Sequence, residues 1–150
     1  MLGYDKEDNM KNNQVEMRQE KQRLKEIITI KDKESLVAEV VARAKEYQAQ
    51  GFSSIGLICK TQSNANTLFE RLTDKLDIHL VGEDNDDTRG VFVIPIYMAK
   101  GLEFDAVLIC DVDDKTYCRT TDRNLLYIAA TRALHQLDLL CVGEKSIFCQ

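Results

Sequence analysis

The sequence has no tryptophan, a single proline (Pro95) and few other aromatics, five Tyr and five Phe. No apolar run approaches the roughly 20 residues that a membrane span requires. The opening residues are charged rather than basic and then apolar, which excludes a signal peptide. No tract is biased enough for a collagenous, mucin-like or low-complexity segment. The five cysteines are odd in number and none stands in a CxxC pair, so neither a zinc site nor a redox dithiol is expected. Cys59, Cys110 and Cys141 lie inside apolar runs and read as reduced core thiols of a cytoplasmic protein. A basic excess is missing too. Net charge is −5, and it arises wholly after residue 34, because residues 1–34 balance eight Lys/Arg against eight Asp/Glu. A free-standing nucleic-acid binder advertises a basic footprint. Any attraction to nucleic acid must therefore come mostly from elsewhere in a larger assembly.

What is present is one domain's worth of soluble composition, with 44% hydrophobic and 30% charged residues over 150 positions. Residues 1–26 are polar and read as a charged arm or solvated helix, leaving 27–150 as the folded domain. Strands are expected at Ile27–Ile30, Ile55–Cys59, Ile78–Val81, Val91–Ile94, Ala106–Cys110 and Leu137–Val142. Between them, Leu36, Val40, Val41, Ala44 and Tyr47 mark a helix over 34–50 that stops at Gly51. A second helix, capped by Ser63 or Asn64, buries Ala65, Leu68, Phe69 and Leu72. A third is expected from about Asp122 to His135, and Gly82–Gly90 reads as a surface loop. Several strands lack polar alternation, as expected of sheet covered on both faces. The alternation predicts a three-layer α/β fold with a largely parallel sheet.

In such folds ligands gather at the carboxyl ends of the strands. Ala99–Phe104, Asp111–Asp114 and Lys60–Asn64 are expected there. Lys100 can reach a phosphate, Gly101 admits close backbone approach, and Glu103 can accept from sugar hydroxyls. The same residues also fit an ordinary turn with solvated charges. Arg132 continues the Leu125–Ala129 stripe, so its guanidinium is aimed inward and needs an anion. A helix-end arginine serving the dipole reads equally well. Asp111 follows an apolar strand, as magnesium-binding aspartates do. Without a Gly-Lys dipeptide there is no Walker A loop beside it, so Asp111, Asp113 and Asp114 are read as a solvated strand end.

Together the segments resemble the second RecA-like motor domain of superfamily 1 helicases of the UvrD/Rep type, over about residues 50–145. Ile96–Asp105, containing KGLEF, resembles motif V. Leu126–Ala133, containing YIAATRA, resembles motif VI. Leu57–Thr61 is similar to the strand-to-loop segment between motifs IV and V. The resemblance implies that Arg132 acts as the arginine finger on a γ-phosphate, with Lys100, Gly101 and Glu103 at the nucleotide. It implies that Tyr97, Lys60 and Thr61 face single-stranded DNA, with Tyr97 able to stack on a base. Pro95 and Tyr97 stand where the UvrD/Rep enzymes carry threonine and histidine. That variant looks more like the HelD-type branch, whose members associate with RNA polymerase. Walker A, the Asp-Glu box and the motif IV arginine have no match. The resemblance thus implies half of an ATP·Mg2+ site, completed by N-terminal helicase domains, and no turnover by this chain alone. Two alternatives stand beside it: a receiver-like domain using the acidic group with Lys100, and a degenerate protein-interaction domain.

Overall fold

A computed structural model describes residues 24–80, 89–144 and 146–149. Most of the proposed arm, and most of the loop expected at 82–90, lie outside the described residues. Six strands are present: β1 (Leu24–Ile30), β2 (Ser54–Cys59), β3 (Ile78–Leu80), β4 (Gly90–Pro95), β5 (Phe104–Ile109) and β6 (Ala133–Val142). They form one sheet in the order β1-β6-β5-β2-β4-β3, and every neighbouring pair is parallel. The first strand starts at Leu24, three residues before the predicted apolar run, because Leu24–Glu26 pair with Gln136–Asp138 of β6.

The continuous apolar runs are explained by which face each residue serves. In β2, Ile55, Leu57 and Cys59 enter one core, while Ile58 enters the other. In β4 and β5 the same division holds, with Val91, Val93, Ala106 and Leu108 on the first side and Phe92, Ile94, Phe104, Val107 and Ile109 on the second. Helices α1 (Lys33–Ala49) and α2 (Gln62–Leu72) cover the first face. The short α3 (Ile96–Ala99) and α4 (Thr120–Ala130) cover the second. A three-layer sandwich results, as a parallel sheet buried on both faces requires.

Helix starts follow capping chemistry. Asp32 caps α1 by accepting from the Ser35 amide at 2.7 Å. Thr61, and not Ser63 or Asn64, caps α2, accepting from the Asn64 amide at 3.1 Å. The largest departure is at α4. It ends at Ala130 instead of His135, and Ala133–His135 begin β6, because Ala133 pairs with Phe104. Sheet pairing overrides a helical spacing that continues in the sequence.

Gly56 shows how closely the second core is filled. A Cβ built there lies 2.7 Å from the Phe104 ring, which is itself fully buried. Gly56→Ala is therefore expected to cost about 1–3 kcal/mol by overpacking. Chemical denaturation checks this, and the same substitution beside Phe104→Leu should cost less.

Candidate functional site

The candidate residues divide between the two edges of the sheet. At the amino edge, β5 and β6 begin side by side, and the Phe104 amide donates to the Arg132 carbonyl at 2.9 Å. This bond joins the turn Lys100–Glu103 to the turn Thr131–Arg132, so the two motif-like segments meet in space. The expectation that Ala99–Phe104 lies at a carboxyl end is corrected here. Only Pro95 and the start of α3 leave that end of β4, and Lys100–Glu103 lead back into the amino edge of β5. Gly101 sits at φ +82° with open space where a Cβ would project, a conformation few other residues accept. Lys100 and Glu103 are exposed.

Arg132 is likewise not on a helical stripe. It follows the C-cap Thr131, its amide donating to the Ala129 carbonyl at 3.1 Å. Its Nη2 donates to Thr131 Oγ1 at 3.1 Å, and that hydroxyl donates onward to the Ile128 carbonyl at 2.8 Å. Its Nε is buried without a hydrogen-bond partner. A buried guanidinium N–H with nothing to bond is costly unless an acceptor arrives.

At the carboxyl edge the DNA-facing candidates are engaged to different degrees. Lys60 Nζ sits 2.8 Å from Asp122 Oδ1, donates to the Thr116 carbonyl at 2.7 Å, and lies 5.7 Å from the Tyr117 ring centroid. The Thr61 hydroxyl is occupied in capping α2. Tyr97 is 61% exposed, with its hydroxyl donating to Gln62 Oε1 at 3.0 Å, which steadies the ring and leaves its faces open. Residue-type reasoning missed Asp122 and Tyr117. An acid at the third helical position after Arg119 was the available signal for Asp122, which accepts from the Arg119 and Cys118 amides at 3.0 and 3.2 Å. The bond to Lys60, with these amides, holds its carboxyl below the usual range.

Asp111 is not the solvated strand end that its sequence context suggests. Oδ2 accepts from the Lys60 amide at 2.9 Å and from Asn64 Nδ2 at 3.1 Å, and Oδ1 accepts from the Tyr117 hydroxyl at 3.2 Å. Burial outweighs these bonds and pushes its carboxyl up to about 6. Cys59, Cys110 and Cys141 are free and buried, as expected of core thiols. Among the described residues, no group of three His, Cys, Asp or Glu side chains is placed to hold a metal ion. Nor is any helix among them long and apolar enough to cross a membrane.

Comparison with known proteins bears directly on this division. Residues 90–140, running from β4 to β6 and containing both amino-edge turns, match the family model of the UvrD-like helicase C-terminal domain. A search of curated proteins returns no match. Among solved structures, the crystal structure of the C-terminal domain of a possible DNA helicase from Lactobacillus plantarum WCFS1 is similar with a TM-score of 0.79 and 28% identity. That similarity covers 90% of this chain and 88% of the other. The family match spans the segment that carries Lys100, Gly101, Glu103 and Arg132, and the whole-chain similarity extends the same fold to the remaining strands. Residues 90–140 thus match the UvrD-like helicase C-terminal domain, and the chain as a whole shares its fold with a helicase C-terminal domain.

Proposed function

We propose that this domain serves as the C-terminal motor domain of an ATP-dependent superfamily 1 DNA helicase or translocase, and that Arg132 is its catalytic contribution. The observation that carries the reading is the buried, unpartnered Nε of Arg132, held where two motif-like turns join. The donor set fits a phosphate: a forked guanidinium with a free N–H, beside an exposed lysine and a positive-φ glycine on the adjoining turn. ATP, when bound, supplies the phosphoryl group whose transfer drives the motor. Arg132 stabilises negative charge on that group. Lys100 adds a point charge, Gly101 gives close backbone approach, and Glu103 accepts from ribose hydroxyls. The N-terminal helicase domains supply the cradle for the phosphates and the ligands for Mg2+. Tyr97 offers an open ring face to a base of single-stranded DNA, with Lys60 and Thr61 behind it positioning the loop.

Phosphate release is the test. The isolated chain should show no turnover with or without single-stranded DNA, because its sequence has no Walker A loop to cradle a triphosphate. Joined to N-terminal helicase domains, it should hydrolyse ATP in a DNA-stimulated manner that Arg132→Ala removes. Turnover by the isolated chain that survives Arg132→Ala would end the reading. Pro95 and Tyr97 add RNA polymerase as a partner to test by co-purification. The receiver-like alternative has less support, since Lys100 precedes the amino edge of β5 while Asp111 follows its carboxyl end, which sets the two at opposite edges of the sheet.

A further inference from the structure

A cavity of about 240 Å3 opens at the carboxyl ends of β2, β5 and β6, on the face covered by α1 and α2. It lies at the edge of the sheet opposite Arg132. The neighbouring strands β2 and β5 send their following helices to opposite faces, α2 to one and α4 to the other. Such a switch in crossover direction is where open α/β sheets take their ligands. Asp111 lies at this switch and lines the cavity. An ionised carboxylate has about four acceptor positions, and three are used, two on Oδ2 and one on Oδ1. The remaining position on Oδ1 calls for an N–H donor.

Two cations line the same cavity, Lys33 at the start of α1 and Arg71 near the end of α2. Neither forms an ion pair among the described residues. Asn64, bonded to Asp111, and Arg71 stand seven residues apart on α2, a rise of roughly 10 Å. A ligand using both ends must therefore separate its N–H donor from its anion. An amino acid, whose two charges share one carbon, does not. A nucleotide does, with its base edge at one end and its phosphate at the other. Between the ends, Leu36, Val37 and Leu68 give apolar walls suited to a flat ring. Asp113 adds a carboxylate whose Oδ1 already accepts from the Thr116 amide, leaving Oδ2 for sugar hydroxyls.

We propose that this cavity binds a nucleoside monophosphate unit, with a base N–H on Asp111, ribose hydroxyls on Asp113 and the phosphate between Arg71 and Lys33. The unit is either a free mononucleotide or one residue of a single strand. The site does not involve Arg132, so it stands or falls apart from the arginine-finger reading.

The four ribonucleoside monophosphates, inorganic phosphate and a short single-stranded oligonucleotide are titrated into the full chain by calorimetry, with thermal midpoints measured in parallel. At least one mononucleotide should bind at millimolar or lower concentration and raise the midpoint through mass action. Lys33 and Arg71 are exposed, so Lys33→Glu and Arg71→Glu should leave the fold intact. Each should weaken binding by about tenfold or more. Asp111→Asn should change which base is preferred. Binding of the oligonucleotide but of no mononucleotide, lost on Arg71→Glu, assigns the unit to a strand. Absence of binding by every probe overturns the proposal. So does equal binding of inorganic phosphate, or affinity that survives both charge reversals.

Discussion

In an enzyme completed by N-terminal helicase domains, Arg132→Ala should lower kcat by on the order of 10³–10⁵ while leaving folding and ATP binding nearly intact. An arginine finger acts on charge that develops in the transition state, so its loss falls on kcat and not on ground-state affinity. The structure explains why little stability should be lost. Among the described residues, Arg132 makes one side-chain hydrogen bond, to Thr131 Oγ1, and its buried Nε makes none. Alanine removes an unsatisfied donor along with the charge. Arg132→Lys should not restore turnover, because a single ammonium cannot reproduce the fork of the guanidinium. The opposite expectation is equally definite. A merely structural arginine just past a helix end contributes about 0.3–1 kcal/mol through the helix dipole, so alanine would lower the thermal midpoint and spare kcat. Measuring midpoint, ATP affinity and kcat for both variants separates the two, and a fully active Arg132→Ala enzyme ends the catalytic assignment.

The sequence singled out Arg132 but did not show its setting. From Leu125 through Ala129 to Arg132, leucine, alanine and arginine stand at helical spacing, and nothing local signals that the chain stops being helical at Ala130. That is decided by β5, whose Phe104 claims Ala133 as a sheet partner. The strands β2, β4 and β5 were readable because both faces are buried, which leaves an unbroken apolar run. The cap of α2 was misread as Ser63 or Asn64, since all three side chains cap well and the end of β2 selects Thr61. Asp111 and Lys60 were harder. Lys60 meets Asp122 from far along the chain, Asp111 meets Tyr117 across the loop after β5, and a charge beside an apolar strand looks the same whether it meets solvent or a buried hydroxyl. The meeting of Lys100–Glu103 with Arg132 depends on strand order. Sequence spacing does not contain that information, and the resemblance to helicase motifs stood in for it.

Arg43→Ala should cost about 3 kcal/mol near neutral pH, and markedly less at about pH 5. Asp138 in β6 is fully buried, and its carboxylate meets Arg43 Nη1 at 2.9 Å and accepts from Gln136 Nε2 at 2.8 Å. Arg43 also bonds Glu39 at 2.6 Å and reaches Glu26 at 3.4 Å. One guanidinium thus serves three carboxylates and ties α1 to β1 and β6. Burial pushes the Asp138 carboxyl up to about 6; Arg43 pulls it down, and the charges of Glu26 and Glu46 push the same way as burial. A folded-state value above the unfolded one means that the protonated acid favours the fold. Its contribution is complete below about pH 4 and is lost as pH rises through about 6. Without Arg43, the ionised Asp138 keeps Gln136 alone among the described residues to offset its burial, and breaking a buried pair costs roughly 3–5 kcal/mol. The low end applies because Gln136 remains and the carboxyl can take up a proton. At about pH 5 that proton is already bound, and only packing and two partly exposed pairs are lost, on the order of 1 kcal/mol. Denaturant titrations of wild type and Arg43→Ala at the two pH values measure the difference. Adding Asp138→Asn to Arg43→Ala should abolish it, since an amide has no charge to leave unpaired. An equal cost at both pH values would mean that Arg43 works by packing alone.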